Sequence, residues 1–352
     1  MTDYENWRET VLFGNPKWLP CTLQIHKGSW HEYGEELEKV ILAHPETWPD
    51  YRKDDYRKEL EKPWGKKETP EKDYVDSWGC VWQTSQYGYV GTIRTHPLDS
   101  DEALALFEPP PAETYNGGQD PVDFNEARGW IEKARTEGRR PRGSLDHGFF
   151  LLRLEYLIGF ENLMCNLVDP SDDFRRLFDT VHRLNMAAAR NWIDTGAETL
   201  GFPEDLGAQD RSLIGPKYFR EWALPCYKEL HGTVQDAGLL TYFHCDGNIM
   251  DIADQIIEIS PSVFNPQDMA NGVENLAEVF KGKLCLDLDF DRQNTMPFGT
   301  PKDCEELIEH EIKTLGSKNG GLMMKFELRK DVPPANIDAI AGACEKLKTY
   351  WA

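Results

Sequence analysis

Apolar residues along this chain follow two rhythms. Between residues 172 and 195 they recur every three to four positions: Phe174, Leu177, Phe178, Val181, Leu184 and Ala188 share one stripe. That is the period of a helix with a single buried face. Ser171 stands where a cap belongs, Asp172 and Asp173 suit the positive end of the helix dipole, and Gly196 ends the pattern. Further on, short β-favouring apolar runs alternate with such helices. The pattern predicts strands over 199–202, 239–243, 263–265, 284–288 and 322–326, and helices over 216–237, 249–259, 273–280, 302–315 and 334–350. Strand–helix alternation of this kind argues for a parallel sheet with helical crossovers. Closed on itself, such a sheet is an eight-stranded (β/α)8 TIM barrel; an open doubly wound sheet is the alternative.

The first 145 residues are less regular. Residues 18–25 read as a first strand, 78–95 as a short hairpin, and 125–137 as a helix. The stretch 35–70 is charged and rich in Trp, Tyr and Pro, which predicts a solvated excursion from the core. The expected organisation is therefore one domain over 1–352. Residues 1–145 hold the barrel start and an irregular, aromatic-rich extension, and 146–352 hold the regular units.

Composition narrows the function. With 11 Trp, 13 Tyr and 16 Phe among 352 residues the chain is expected to fold around a core. A formal charge of −22 argues against nucleic acid. No apolar run is long enough to span a bilayer, and residues 1–14 carry no apolar leader-like stretch. Eight cysteines without a C-x-x-C spacing read as reduced thiols. Together these predict a cytoplasmic protein. No G-x-G-x-x-G follows a predicted strand, which removes the usual dinucleotide site.

Chemistry-bearing residues concentrate where the predicted strands end, the place where catalytic groups sit in a (β/α) barrel. The run at 199–202 leads into Glu204, Asp205 and Gln209. The next leads into His244-Cys245-Asp246 and Asn248, the third into Asn265, Gln267 and Asp268, the fourth into Asp289, Asp291 and Gln293, and the last into Glu327. Asp and Asn are also common helix caps, which is the structural alternative at each place. In the triplet 244–246, strand alternation puts His244 and Asp246 on one face and Cys245 on the other. A His with a carboxylate is a metal pair or an acid/base pair. His147 either contacts substrate or caps a loop. An aromatic set (Trp30, Tyr33, Trp78, Trp82, Tyr87, Tyr89, Phe149, Phe150) either lines an apolar pocket or packs the core.

Several blocks together resemble the uroporphyrinogen decarboxylase superfamily. They are Glu204-Asp205-Leu206-Gly207-Ala208-Gln209, Gly215-Pro216-x-x-Phe219-Arg220, His244-Cys245-Asp246-Gly247-Asn248, Asn265-Pro266-Gln267, Asp291-Arg292-Gln293 with Pro297-Phe298-Gly299-Thr300-Pro301, and Pro333-Pro334-x-Asn336-Ile337. Upstream, Asp76-x-Trp78-Gly79-Cys80-Val81-Trp82, His96-Pro97-Leu98 and Gly159-Phe160-Glu161-Asn162 fit the same pattern. The resemblance implies a (β/α)8 barrel and one of two activities. Decarboxylating members carry an Arg-Gln-Ala-Gly-Arg block near the N-terminus; the matching region here, 20–28, contains Gln24 and His26 but no arginine. The other branch moves methyl groups to or from a corrinoid. Its thiol-methylating members hold zinc through His-x-Cys and a later Cys. This chain has His244-Cys245-Asp246 and Phe326-Glu327 instead.

That substitution implies a harder donor set of His244, Asp246 and Glu327 around zinc, or no metal and a proton donor. Either suits an oxygen leaving group. The expected activity is therefore a methyltransferase of the O-demethylating kind. It takes a methyl from a small methoxylated donor, aromatic ones included, and passes it to cobalt(I). The alternatives are a zinc-dependent methylcobalamin:thiol methyltransferase and a uroporphyrinogen decarboxylase. The Asp-x-His-x-x-Gly signature of corrinoid proteins is absent, Asp146-His147-Gly148 having the wrong spacing, so the corrinoid (cobalamin) would arrive on a partner protein. Under this reading His244, Asp246, Glu204 and Asp205 do the chemistry. Gln24, His26, His147, Phe150, Gln209, Asn248, Asn265, Gln267, Asp289 and Asp291 contact substrate or corrinoid.

Overall fold

The computed structural model describes all 352 residues. Ten strands form: β1 (Cys21–Ile25), β2 (Tyr74–Val75), β3 (Val81–Gln83), β4 (Thr92–Thr95), β5 (Arg142–Ser144), β6 (Thr199–Asp205), β7 (Leu240–Asp246), β8 (Val263–Pro266), β9 (Cys285–Asp289) and β10 (Leu322–Leu328). Seven of them follow the sheet order β1-β10-β9-β8-β7-β6-β5, and β2-β3-β4 make a separate sheet. The fold is α/β, with parallel pairing at β1/β10, β10/β9, β5/β6 and β6/β7.

The expectation of eight barrel strands is thus corrected to seven. Between β1 and β5 the chain contributes helices and the small antiparallel sheet β2-β3-β4. These three strands pair antiparallel with one another and join none of the seven.

The chain divides into two compact units that interleave along the sequence. One comprises Met1–Thr69, Gln86–Val90 and Pro266–Ala352; the other comprises Pro70–Ser85 and Gly91–Asn265. In the first unit, β10 lies between β1 and β9. Helix Pro301–Leu315 starts with a capping box in which Thr300 and Asp303 satisfy each other's backbone N–H groups, and Pro301 occupies its first turn. It packs against helix Pro334–Leu347. The stretch 35–70, expected to be a solvated excursion, instead contributes helix Glu35–Ala43, which docks on that C-terminal helix with Leu37 and Ile41 buried. His44 and Thr47 tie it down through hydrogen bonds to Glu345 at 2.9 and 2.8 Å. Leu37 and Ile41, four residues apart, are a buried stripe that the surrounding charge conceals.

In the second unit, the amphipathic helix Asp172–Asp194 forms as its stripe predicts, with Ser171 accepting from Phe174 N at 3.1 Å. The predicted single helix over 216–237 is interrupted by a π-turn at Phe219–Ala223. Pro225 has no N–H to give to the preceding turn, which forces the irregularity. Strands β6 and β7 run three residues beyond their predicted ends. Glu204, Asp205, His244 and Asp246 are therefore strand residues, whose facing obeys strict alternation. All eight cysteines are unbridged, as expected.

Candidate functional site

Parallel registration of β6 on β7 pairs Pro203 with His244, Glu204 with Cys245 and Asp205 with Asp246. Since neighbours in a ladder share a face, Asp205, His244 and Asp246 project to one side, and Glu204 and Cys245 to the other. His244 Nε2 stands 3.4 Å from Asp246 Oδ1 and 4.0 Å from Asp205 Oδ1. His244 Nδ1 donates to Asn265 Oδ1 at 2.8 Å, which orients the ring and directs Nε2 at the carboxylates.

His147 completes the group from the loop after β5: its Nε2 lies 3.1 Å from Asp205 Oδ1. Its ring centroid is 6.0 Å from that of His244. The loop is held by Gly148 N–H to the Pro203 carbonyl at 3.0 Å, by Asn116 and Gln119 N–H groups on the Asp146 carboxylate, and by the Gln119 side chain on the His147 carbonyl. Gly148 sits at φ +70°, and a Cβ there would lie 2.7 Å from the Tyr156 ring, so this turn requires glycine.

Donor atoms of His147, Asp205 and His244 all lie within 4.8 Å of one another. Asp205 holds the His147 imidazole above its ordinary pKa by hydrogen bond and charge, against the opposing effect of burial. The two imidazoles in turn keep Asp205 below the usual carboxylate range despite its burial. Two imidazole nitrogens and a carboxylate oxygen are a common catalytic zinc set, and the Asn265 contact is the outer support such ligands usually have. The residues therefore fit the metal implied by the resemblance, with His147 and Asp205 beside His244.

The opposite face is structural. Glu204 is fully buried and accepts from the backbone N–H groups of Phe150, Leu151 and Leu152, each at 3.1 Å, and from the Tyr227 hydroxyl at 2.8 Å. It thereby caps helix Leu151–Ile158. Burial pushes its carboxyl up to about 7 while those donors pull it down. Cys245 accepts from Leu206 N–H at 3.2 Å, and burial holds its thiol well above the ordinary range. The Phe150 ring packs on Phe178 and Tyr227 in the core. Phe149, Trp78, Trp82 and Trp30 are core residues too, while Tyr87 is exposed. Asn248 donates its N–H to the Ala208 carbonyl at 2.7 Å and accepts from Met250 N–H, which joins the loops after β6 and β7. Gln209 is exposed on the first of these loops.

The remaining residues singled out from the sequence fall in the other unit. Glu327 is gripped by Lys325 at 3.0 Å, Arg292 at 3.1 Å and Arg329 at 2.6 Å, which hold its carboxyl far below the usual range although burial opposes them. Arg292 also reaches Asp289 at 3.1 Å. His26 lies 3.9 Å from Glu327, its pKa lowered chiefly by burial. Gln24 is exposed and registers opposite Glu327. Asp291 accepts from Gln293, Asn294 and Thr295 N–H groups at 2.9–3.1 Å, the cap geometry that was the structural alternative. The Gln267 carbonyl accepts from Asn271. The sequence therefore placed His244 with Asp246 correctly on one face. It underrated His147, whose position at the end of the three-residue strand β5 was hidden because Arg142-Gly143-Ser144 has no apolar rhythm.

Residues 153–347, more than half of the chain, match the uroporphyrinogen decarboxylase (URO-D) family. The chain belongs to that family. No curated protein matches it. Among solved structures, a methyltransferase from Methanosarcina mazei shares the fold with a TM-score of 0.61 at 14% sequence identity, over 97% of this chain and 97% of that one.

Proposed function

We propose that this chain is a corrinoid-dependent methyltransferase that takes a methyl group from a small methoxylated compound and delivers it to the cobalt(I) of a separate corrinoid protein. The observation that carries the reading is the His147–Asp205–His244–Asp246 group, whose four side chains converge on one face of the β6/β7 pair and offer nitrogen and oxygen only. Family membership and the shared fold with a methyltransferase support the branch.

In this reaction cobalt(I) forms a bond to the methyl carbon as the carbon–oxygen bond breaks, and the electron pair stays on oxygen. Barrier height then depends on stabilising that oxygen. In the metal-free site His147, its pKa raised by the hydrogen bond to Asp205, supplies the proton, and Asp205 carries the compensating charge. His244, oriented by Asn265, directs Nε2 at the same place. Zinc held by His147, Asp205 and His244 would instead supply Lewis acidity to the same oxygen, with His147 then a neutral ligand and not the acid. A thiol substrate is disfavoured because Cys245 lies on the opposite face with its sulfur engaged.

The test mixes the protein with a reduced corrinoid protein and a panel of methoxylated aromatic and aliphatic compounds, and follows methylcobalt absorbance. At least one donor should give methylcobalt, and His147→Ala and His244→Ala should each slow it by 100-fold or more, on the order of a lost general acid. Failure with every donor, or methyl transfer only to thiols, contradicts the reading.

A further inference from the structure

His147 needs more than Asp205 to hold it in place. Its side chain is 42% exposed and that of Asp205 30%, and an ion pair so open to water does little to fix a ring. The support comes from behind the loop. Trp192, on the long helix Asp172–Asp194, is buried and donates from Nε1 to Asn116 Oδ1 at 2.7 Å. An indole nitrogen can only donate, so the Asn116 amide has one orientation, its oxygen toward Trp192 and its nitrogen toward Asp146. Asn116 Nδ2 accordingly donates to Asp146 Oδ1 at 3.1 Å, and Gln119 N–H donates to Asp146 Oδ2 at 2.8 Å. The backbones are tied as well. Asp146 N–H donates to the Asn116 carbonyl at 2.7 Å, and the Gln119 side-chain amide donates to the His147 carbonyl. Gly117 permits this approach, because it sits at φ +104° and a Cβ there would lie 2.9 Å from Asp146 N.

We propose that Asp146 is a positioning residue for His147: clamped to Trp192 through Asn116, it sets the turn that aims the imidazole at Asp205. This role rests on the reading of His147 as a working group of the site, and it adds the residue that puts that group there. Asp146 itself need touch neither donor nor metal.

The chemistry of the clamp makes the role separable from packing. Both Asp146 oxygens accept, and each faces a donor. Asp146→Asn keeps the shape of the side chain but sets an amide nitrogen against one of those donors. Flipping the Asn116 amide gives no relief, because its nitrogen would then oppose the Trp192 donor. Adding Asn116→Asp restores the match: the carboxylate introduced there accepts both from Trp192 and from the amide introduced at 146. The doubly substituted chain thus has the same clamp with donor and acceptor exchanged.

The full chain is treated with diethyl pyrocarbonate, and modification is followed in the tryptic fragment 143–153, whose only histidine is His147. Asp146→Asn should raise the rate at His147 about fivefold or more, the population change that one lost hydrogen bond brings. The rate at His244, which is held by Asn265 instead, should stay the same. Asn116→Asp added to Asp146→Asn should bring the His147 rate back. With a donor that forms methylcobalt, Asp146→Asn should lower kcat by about 10-fold or more and leave KM little changed, as a misaimed group does. Should Asp146→Asn fold poorly, Gln119→Ala, which releases the His147 carbonyl, is the second variant and should raise the His147 rate in the same direction. An unchanged rate at His147, a rise shared equally by His244, or a rise that Asn116→Asp does not reverse overturns the proposal. If the His147 rates behave as stated and no donor gives methylcobalt, the positioning role stands and the methyl-transfer reading fails.

Discussion

At the scale of single residues, the site depends on which atom each side chain offers. Asn265 accepts from His244 Nδ1 and so orients that ring. Asn265→Ala should therefore leave the fold intact and weaken zinc binding by about 10–100-fold, the usual effect of losing an outer ligand support. Metal titration against a chelator checks this, and unchanged affinity would mean that His244 is oriented by something else. His231 gives a second case. It is fully buried between Phe202 and Phe243, neither ring nitrogen has a hydrogen-bond partner, and burial lowers its pKa to about 3. A folded pKa depressed below the ordinary 6.5 means that stability is complete above about 6.5. It is lost by roughly 1.4 kcal/mol per pH unit as pH falls toward 3, because the unfolded chain binds the proton first. His231→Phe should flatten that slope, measured as the difference in urea unfolding free energy between pH 4.5 and 7.5.

At the scale of elements, the loops of the second unit are set by what the strands hold. Glu204 turns inward on β6 and caps helix Leu151–Ile158, while its neighbour Asp205 turns outward to the imidazoles. Glu204→Ala leaves three backbone donors and the Tyr227 hydroxyl without their acceptor. It should cost about 3 kcal/mol or more in unfolding free energy, read from the denaturant midpoint at unchanged m-value. Ser171→Ala, which removes a single cap on a long helix, should cost about 1 kcal/mol. A Glu204 variant no worse than Ser171→Ala would show that the buried carboxylate is not what anchors the helix.

The legibility of the sequence varied with the same physics. Helices with an uninterrupted stripe, such as Asp172–Asp194 and Val273–Phe280, were found almost to the residue. Alternation told His244 and Asp246 from Cys245. Strand β5 and helix Leu151–Ile158 are not legible in the sequence. The first is three residues without apolar periodicity, and the second is apolar nearly all round, which hides its faces. The pairing of Glu327 with three cations was also hidden, because Arg292 comes from a different strand end than Lys325 and Arg329.

For the whole molecule, the sheet of seven strands and the family assignment together account for why polar groups recur at successive strand ends. They do so in two different ways. In the second unit the groups leave imidazole nitrogens and carboxylate oxygens converging on one place. In the first unit Glu327 is already matched by cations, and Asp291 by backbone donors. No helix is long and apolar enough to cross a membrane. Within the first unit, His44 lies between Glu345 and Asp338, whose hydrogen bonds raise its pKa against the effect of burial. A raised histidine pKa stabilises the fold fully below about 6.5, and the contribution is lost as pH rises through the folded value. His44→Gln should accordingly lower Tm at pH 5.5 more than at pH 8.5. An equal loss at both pH values would show that the contact is packing alone.

The most direct test is the spectrum of a reduced corrinoid protein mixed with this chain and methoxylated donors. A methylcobalt band should appear with at least one such donor, together with the stoichiometric release of its hydroxyl product, and His147→Ala should slow it by 100-fold or more. A folded protein that gives no methylcobalt with any donor, or a His147→Ala variant as fast as the unmodified chain, would contradict it.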